Sequence, residues 1–277
     1  MAETAFQTQY RQQHIRGFEQ TASLLRQTVT HEATFKGNQA TFLVADSGDA
    51  EAQTRGVNGL IPGRPDNNTQ LTATLKEWHD KPIKTGFNIF ASQGDQNAIM
   101  QENSNAVINR KIDSDILSAL SSATQRVSAT AQKATLNMVV HATTILGNNK
   151  VPMDGNISAA ITPAFHAYLM QVKEFASVDY INDKPFENKP IMFRWFGVNW
   201  IVHNNLTGAG TASETCYFYH KSAIGHATNV DDMDSVVGYN KEHDYSFNRV
   251  SIFMGGKLLQ NTGVVKVLHD GSEFAAV

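Results

Sequence analysis

With 277 residues, 41% of them hydrophobic and 18% charged, the chain can bury one large core or two small ones, which excludes an intrinsically disordered protein. A formal net charge of -3 removes the global basic field of a general nucleic-acid binder, and a single cysteine, Cys216, removes any internal disulfide. No segment approaches the ~18 apolar residues of a membrane helix, and the first residues, Met1 to Gln7, lack the basic flank and apolar run of a secretory signal, so a reducing aqueous compartment is expected.

Residues 5–30 are rich in Gln, Thr and Arg, with scattered apolar positions at Phe6, Tyr10, Ile15, Phe18, Leu24 and Leu25. That spacing predicts one or two short amphipathic helices on an arm that needs something to lie on. From His31 to Phe90 the pattern is β with long turns. Residues 40–45 read as one strand, closed by the turn residues 46–49, and residues 71–75, where apolar residues alternate with Thr, as a second; the stretch between them, Arg55 to Asn68, is crowded with turn formers. This predicts a long two-stranded arm with a polar tip. A lone hairpin has no second layer to cover its apolar face, so contacts from another subunit are expected to stabilise it.

The run from Asp95 to Leu146 contains neither Gly nor Pro. Ile108, Ile112, Ile116, Leu120, Ala123 and Val127 recur three or four residues apart and predict a long helix with one apolar stripe, capped by Asp95 or Ser92. A second helix is expected over 135–146, ending at a left-handed stop in Gly147-Asn148-Asn149. Thr162-Pro163 opens a third helix running to Phe175; strands are expected at 191–193, 198–202 and 215–219. Residues 245–269 read as strands around turns at Gly255-Gly256 and Asn261-Thr262-Gly263, with Val250, Ile252 and Met254 on one face.

No constellation assembles into a catalytic, cofactor or metal site. Gly208-Ala209-Gly210 lacks the third glycine and the following helix of a dinucleotide fingerprint. His220 and His226, with Asp231, Asp232 and Asp234, fit no recognised metal-ligand spacing and read as ordinary histidines in a solvated turn. Ser222 with His226, or Cys216 with His220, with His203 as a third partner, sits in no nucleophile elbow. Cys216 reads as a small core residue, and Trp195, Phe196 and Trp200 as sheet packing. Arg55 and Arg64 at the arm's tip, with Lys76, Lys81 and Lys84 at its base, could pair with carboxylates on a neighbour or simply be solvated.

Taken in order, these elements resemble the major capsid protein of tailed phages, the Hong Kong 97-type α+β fold. The residues that carry the resemblance are 40–45 leading into the hairpin, Arg110 to Leu120 on the long helix, Phe196-Gly197-Val198 with His203, and Tyr219 to Ala227. The resemblance implies an N-terminal arm over 1–30, an extended loop over 31–94, a peripheral domain with the spine helix over 95–154, an axial domain over 155–240, and return strands of the peripheral domain over 241–277. It implies a non-enzymatic protein that assembles with itself, through hexamers and pentamers, into the icosahedral shell around a double-stranded DNA genome. Implied partners are scaffolding, portal and decoration proteins and, through weak non-specific contact, the packaged DNA; no membrane, cofactor or metal is implied. The long N-terminal scaffolding extension of some members is not seen, so a separate scaffolding protein is expected, with assembly in the host bacterial cytoplasm and residence in the virion. An encapsulin-like cargo compartment, an α/β enzyme using His203, His220 and Asp231, and a phage tail or adhesion protein are the competing readings.

Overall fold

The structure is a computed structural model and describes residues 18–31, 33–47, 50–64, 67–91, 95–173, 192–228 and 233–274. The chain divides into two compact units, one from the described residues of 1–23, 76–113 and 228–254, the other from those of 24–75, 114–227 and 255–277. Of the stretch 5–30 expected to hold one or two short amphipathic helices, residues 5–17 lie outside the described residues, as do Ser92, Asp231 and Asp232, and the described part holds a single 3-10 turn, Arg26–Thr28.

In the first unit, the central element is β12 (Tyr245–Leu258), whose residues 245–251 pair antiparallel with β11 (Asp234–Asn240). β4 (Lys76–Asp80) and β5 (Ile83–Thr85) pair with the same strand along its opposite edge. Alternation along β12 buries Asn248, Val250, Ile252 and Met254 and leaves Arg249 and Phe253 exposed, the period-two pattern expected of a sheet with one covered face. The stretch expected to stay β up to Phe90 instead turns at Gly86 into a short helix, α1 (Gly86–Ala91). The long helix follows as α2 (Gln96–Ser121), roughly 39 Å at 1.5 Å per residue. Asp95 caps it, its Oδ1 accepting from the backbone N–H groups of Asn97 at 3.1 Å and Ala98 at 3.2 Å. Lys111 lies over the Trp78 ring, 3.8 Å from its centroid.

The apolar stripe of α2 is buried as expected at Ile108, Ile112, Ile116 and Leu120, but the helix stops at Ser121 and does not reach Val127. Serine hydroxyls end it: Ser121 Oγ donates to the Ser118 carbonyl at 2.7 Å and Ser122 Oγ to that of Ala119 at 2.6 Å. In the second unit, residues 125–127 then run beside β13 (Val264–His269), bonded through Val127 N to Lys266 O and Lys266 N to Gln125 O.

The core of this second unit is a five-stranded sheet of order β13-β9-β6-β8-β7, where β6 is Ile157–Ile161, β7 Met192–Trp195, β8 Val198–Val202 and β9 Glu214–His220. Two helices, α3 (Leu136–Asn148) and α4 (Pro163–Met170), bury Val139, Leu146, Phe165 and Leu169 in one cluster with Ile161, Trp200, Phe218 and Val265. Thr162 caps α4 by accepting from Phe165 N–H at 3.2 Å, as its Thr-Pro opening predicts; the helix ends at Met170, short of Phe175. The stop of α3 falls later than expected, with Gly147 helical and Lys150 the left-handed residue at φ 60°. Val151 N then reaches back to Leu146 O at 3.1 Å, which closes the helix end.

A three-stranded sheet completes this unit: β1 (Thr34–Lys36), β2 (Gln39–Val44) and β3 (Thr69–Thr74), in that order and all antiparallel. Its register places Ala40 opposite Ala73 and Phe42 opposite Leu71, which gathers the apolar side chains on one face. β10 (Ile224–Thr228) supplies Ala227 to that face.

Glycine matters here for close approach. A Cβ on Gly225 would sit 2.7 Å from Phe42 Cε1, and Gly255 and Gly256, read from sequence as a turn, lie inside β12 because Thr74 O and Asp115 crowd them. Gly225→Ala should lower the urea midpoint by an amount worth about 2 kcal/mol, as overpacking does. In a Phe42→Leu background the same substitution should cost clearly less, because the ring it collides with is gone.

Candidate functional site

The chain's chemistry-bearing side chains resolve into separate structural groups. His203 is buried, its Nδ1 accepting from Asn205 N–H at 3.1 Å. His220 ends β9, with Nδ1 2.8 Å from Ser222 Oγ and Nε2 3.1 Å from Asp154 Oδ1. Hydrogen bonds from Asn156, aided by His220, hold the Asp154 carboxyl down at about 2. Ser222 thus meets His220 and not His226, within a tight turn in which His220 Nδ1 also faces Ser222 N–H at 3.3 Å. This chain of contacts is a turn cap.

The expectation that His220 and His226 sit in a solvated turn is wrong. Both are buried, His226 fully, because each belongs to a strand, β9 and β10. Among the described residues, no group of three His, Cys, Asp or Glu side chains is placed to hold a metal ion. The Gly208 to Ser213 segment is a loop between strands β8 and β9, pinned by Gly210 N–H donating to Glu214 Oε1 at 2.6 Å. Trp200 is core, with Nε1 donating to Trp195 O at 2.9 Å. Phe196 is not core: it holds φ 53° in the two-residue turn joining β7 to β8 and is exposed. Cys216 is buried, and burial pushes its thiol up to about 12. It should resist a thiol reagent at mildly alkaline pH in the folded protein and react fully in denaturant; fast labelling of the folded chain would contradict its core placement.

One buried group was not legible in the sequence. β13 and β9 bring His269 opposite Glu214, Nε2 to Oε2 3.2 Å, with Thr162 Oγ1 3.0 Å from the same nitrogen. Both side chains are fully buried. Burial lowers the His269 pKa against the opposing pull of Glu214, so the ring is neutral in the fold. The unfolded chain takes a proton near about 6.5, so this stability is present above that pH and is lost as pH falls below it. The urea midpoint should therefore be lower at about pH 5.5 than at about pH 7.5, with a smaller difference in His269→Gln.

Large apolar side chains are exposed at several places among the described residues, Phe18 and Phe87 included, and three of them lie close together in sequence in the hairpin. Its root is covered: Ala40, Phe42 and Ala73 pack with Ala227, flanked by Ala33, Leu75 and Leu259. The connection from β2 to β3 folds back through Gly56 N to Leu60 O at 3.0 Å and Gly59 N to Gly56 O at 2.9 Å, and Arg64 ties its two legs by donating to Ser47 O at 3.3 Å. Yet Val57, Leu60 and Ile61 in this connection are 107%, 74% and 70% exposed. The tip expected to be polar thus carries three apolar side chains that the described residues leave exposed. Arg55 is exposed there as expected. Lys76 and Lys84 instead belong to β4 and β5 and Lys81 to the link between them; Lys84 donates to Gln96, and Lys81 lies 4.6 Å from the Phe247 ring centroid. Among the described residues, no helix is long and apolar enough to cross a membrane.

The described residues combine mixed sheets and helices, with one long helix, one long strand and a hairpin, in an α+β arrangement. A family model described as phage capsid protein matches residues 2–271, and the chain belongs to that family. It is similar in fold to a chain from Mycobacterium phage Che8, at 14% identity and TM-score 0.73, covering 96% of this chain and 98% of that one. The capsid of cyanophage P-SCSP1u matches at 12% identity and TM-score 0.71, covering 96% and 93%. The capsid of Ralstonia phage GP4 matches at 10% identity and TM-score 0.69, covering 96% of each. No curated protein matches the chain. The α+β phage capsid fold expected from sequence is the fold found, and the protein is a major capsid protein: a structural component of the virion shell that assembles with itself, not an enzyme.

Proposed function

We propose that this capsid protein forms hexamers and pentamers that close into an icosahedral shell around double-stranded DNA, with the segment 31–94 as its extended loop and that loop's hairpin, β2 and β3, laid on a neighbouring copy. The observation that carries this is the contrast within one hairpin, between a root packed under Leu75 and Leu259 and a tip whose Val57, Leu60 and Ile61 are bare. Burying such a cluster against a neighbour stabilises the lateral contact by a few kcal/mol, at about 25 cal/mol per Å² of apolar surface.

In this reading, residues 1–30 are the N-terminal arm, 95–154 the peripheral domain built on α2, 155–240 the axial domain, and 241–277 the peripheral return. The division into many moderate contacts keeps assembly reversible while the shell closes. A net charge of -3 suits a wall that faces packed DNA without gripping its phosphates. Scaffolding and portal proteins are its proposed assembly partners, with decoration proteins on the finished shell and the host cytoplasm as the place of assembly.

Expression of the full chain, alone and with a scaffolding partner, followed by negative-stain microscopy tests the reading. Closed particles of uniform diameter are expected; rings, fibres or persistent monomers would overturn it. Replacing residues 46–68 by a two-glycine turn should abolish closed particles while leaving the circular dichroism spectrum and urea midpoint of the subunit nearly unchanged.

A further inference from the structure

The last strand of a sheet carries an outer row of N–H and C=O groups that can template another strand, so the edges of a stable protein are covered or blunted. Several edges here are dealt with by the chain itself. Residues 125–127 run beside β13 and bond to it through Val127 N and Lys266 N. In the sheet built on β12, the edge formed by β4 and β5 is interrupted at Lys81-Pro82 and carries Lys76 and Lys84. β1 is three residues long and ends in Lys36.

β11 has none of these devices. Its seven residues pair with β12 in unbroken register, without a bulge, a proline or a lysine, and among the described residues it ends the sheet. Apolar side chains are exposed on both of its faces, Val236 at 37% on one and Val237 and Tyr239 at 53% each on the other. The edge is also shaped. Gly238 stands opposite Phe247, and a Cβ there would lie 2.6 Å from Phe247 Cζ, so the ring occupies the space over the glycine. Gly238 has no positive φ; the missing side chain serves the ring and not a turn.

We infer that β11 joins two copies of this chain, strand to antiparallel strand, about a twofold axis through Val237. The occupant is a second copy because the chain belongs to a family of shell proteins and because the strand is its own complement. In this register Val237 meets its counterpart, and Val236 of each copy lies opposite Gly238 of the other, against the Phe247 ring. Such β-branched and aromatic neighbours stabilise strand pairs. Tyr239 lies opposite Ser235, and Asp234, the one charged residue of the strand, lies opposite Asn240, so no like charges meet. Centring the pair on Val236 or on Gly238 would shorten it from seven residues to five, and the first choice would also set Asp234 against the ring. A seven-residue strand pair is smaller than a standard interface of about 1,600 Å², so one join is weak alone and holds when many form together. The join rests on the self-assembly of the chain and is separable from the shell geometry proposed above.

Cysteines placed on β11 test both the contact and its register, because the native Cys216 is buried. Directly opposed residues of an antiparallel pair have Cα atoms about 4.5–5.5 Å apart, within disulfide reach. Full-length Val237→Cys, mildly oxidised while it self-associates alone or with a scaffolding partner, should become a covalent dimer. Ser235→Cys should not, because its two copies stand about 13 Å apart along the strands. Mixing Ser235→Cys with Tyr239→Cys should restore the cross-link. Val237→Lys, which sets two like charges face to face at an exposed position, should weaken self-association at least about tenfold and leave the urea midpoint of the subunit unchanged. A Val237→Cys chain that cross-links no better than Ser235→Cys, or unaltered association of Val237→Lys, would overturn the join. Covalent dimers without closed particles would sink the shell reading alone, and closed particles without the Val237→Cys dimer would sink the join alone.

Discussion

The contact on which the hairpin depends is an aromatic ring laid on bare backbone. Three short strands cannot hold themselves flat in water, because one face always lacks a second layer. Here that layer is made at the root, where Phe42 lies against Gly225 so closely that a single Cβ would collide with its ring. Around it the residues are small, Ala40, Ala73 and Ala227, so one ring fills the space between the sheet and β10. Burying a phenylalanine this fully is worth roughly 2–3 kcal/mol, enough to orient the sheet without enlarging it. The same device recurs in β12, where Gly255 lets the backbone pass Thr74 and Gly256 lets it pass Asp115.

Because the root is closed locally, the tip is free for other work. Val57, Leu60 and Ile61 contribute nothing to the fold that carries them, and the turn beneath them is held by backbone bonds and by Arg64. A chain that hid these side chains internally would have a larger core and no adhesive surface. His203, His220 and Cys216, by contrast, are all buried within the fold and serve its strands and turns.

The strands of the hairpin and the stripe of α2 were legible because each obeys one periodicity over its whole length, period two at Ala40, Phe42 and Ala73, and every third or fourth residue from Ile108 to Leu120. What failed were the signals whose meaning tertiary structure reverses. The stripe continues through Ala123 and Val127, but Ser121 and Ser122 hydroxyls take the last carbonyls and the chain leaves as an extended strand neighbour. Gly255-Gly256 spells a turn locally and is a pair of close approaches in fact. His226 looked solvated beside an acidic run, yet its strand is covered on both faces. The pairing of Glu214 with His269 depends on the register of two strands far apart in sequence, which no local pattern encodes.

The N-terminal segment is attached in two different ways. Residues 19–23 meet α2 through polar contacts: Arg110 with Glu19 at 2.6 Å, Asn109 with Thr21 O at 2.9 Å, and the buried Asp113 accepting from Gln20 and Ser23. Each such bond nets only about 1 kcal/mol against water, but its geometry fixes one register. From Leu25 onward the attachment is different, with Leu25 and Val29 fully buried and Thr28 bonded to Tyr219. The change falls where the chain passes from one compact unit to the other, between Ser23 and Leu24. Water can replace the polar contacts at little net cost, whereas lifting Leu25 and Val29 would expose apolar surface worth several kcal/mol. The apolar pair, and not the polar contacts before it, therefore carries most of the attachment of this segment.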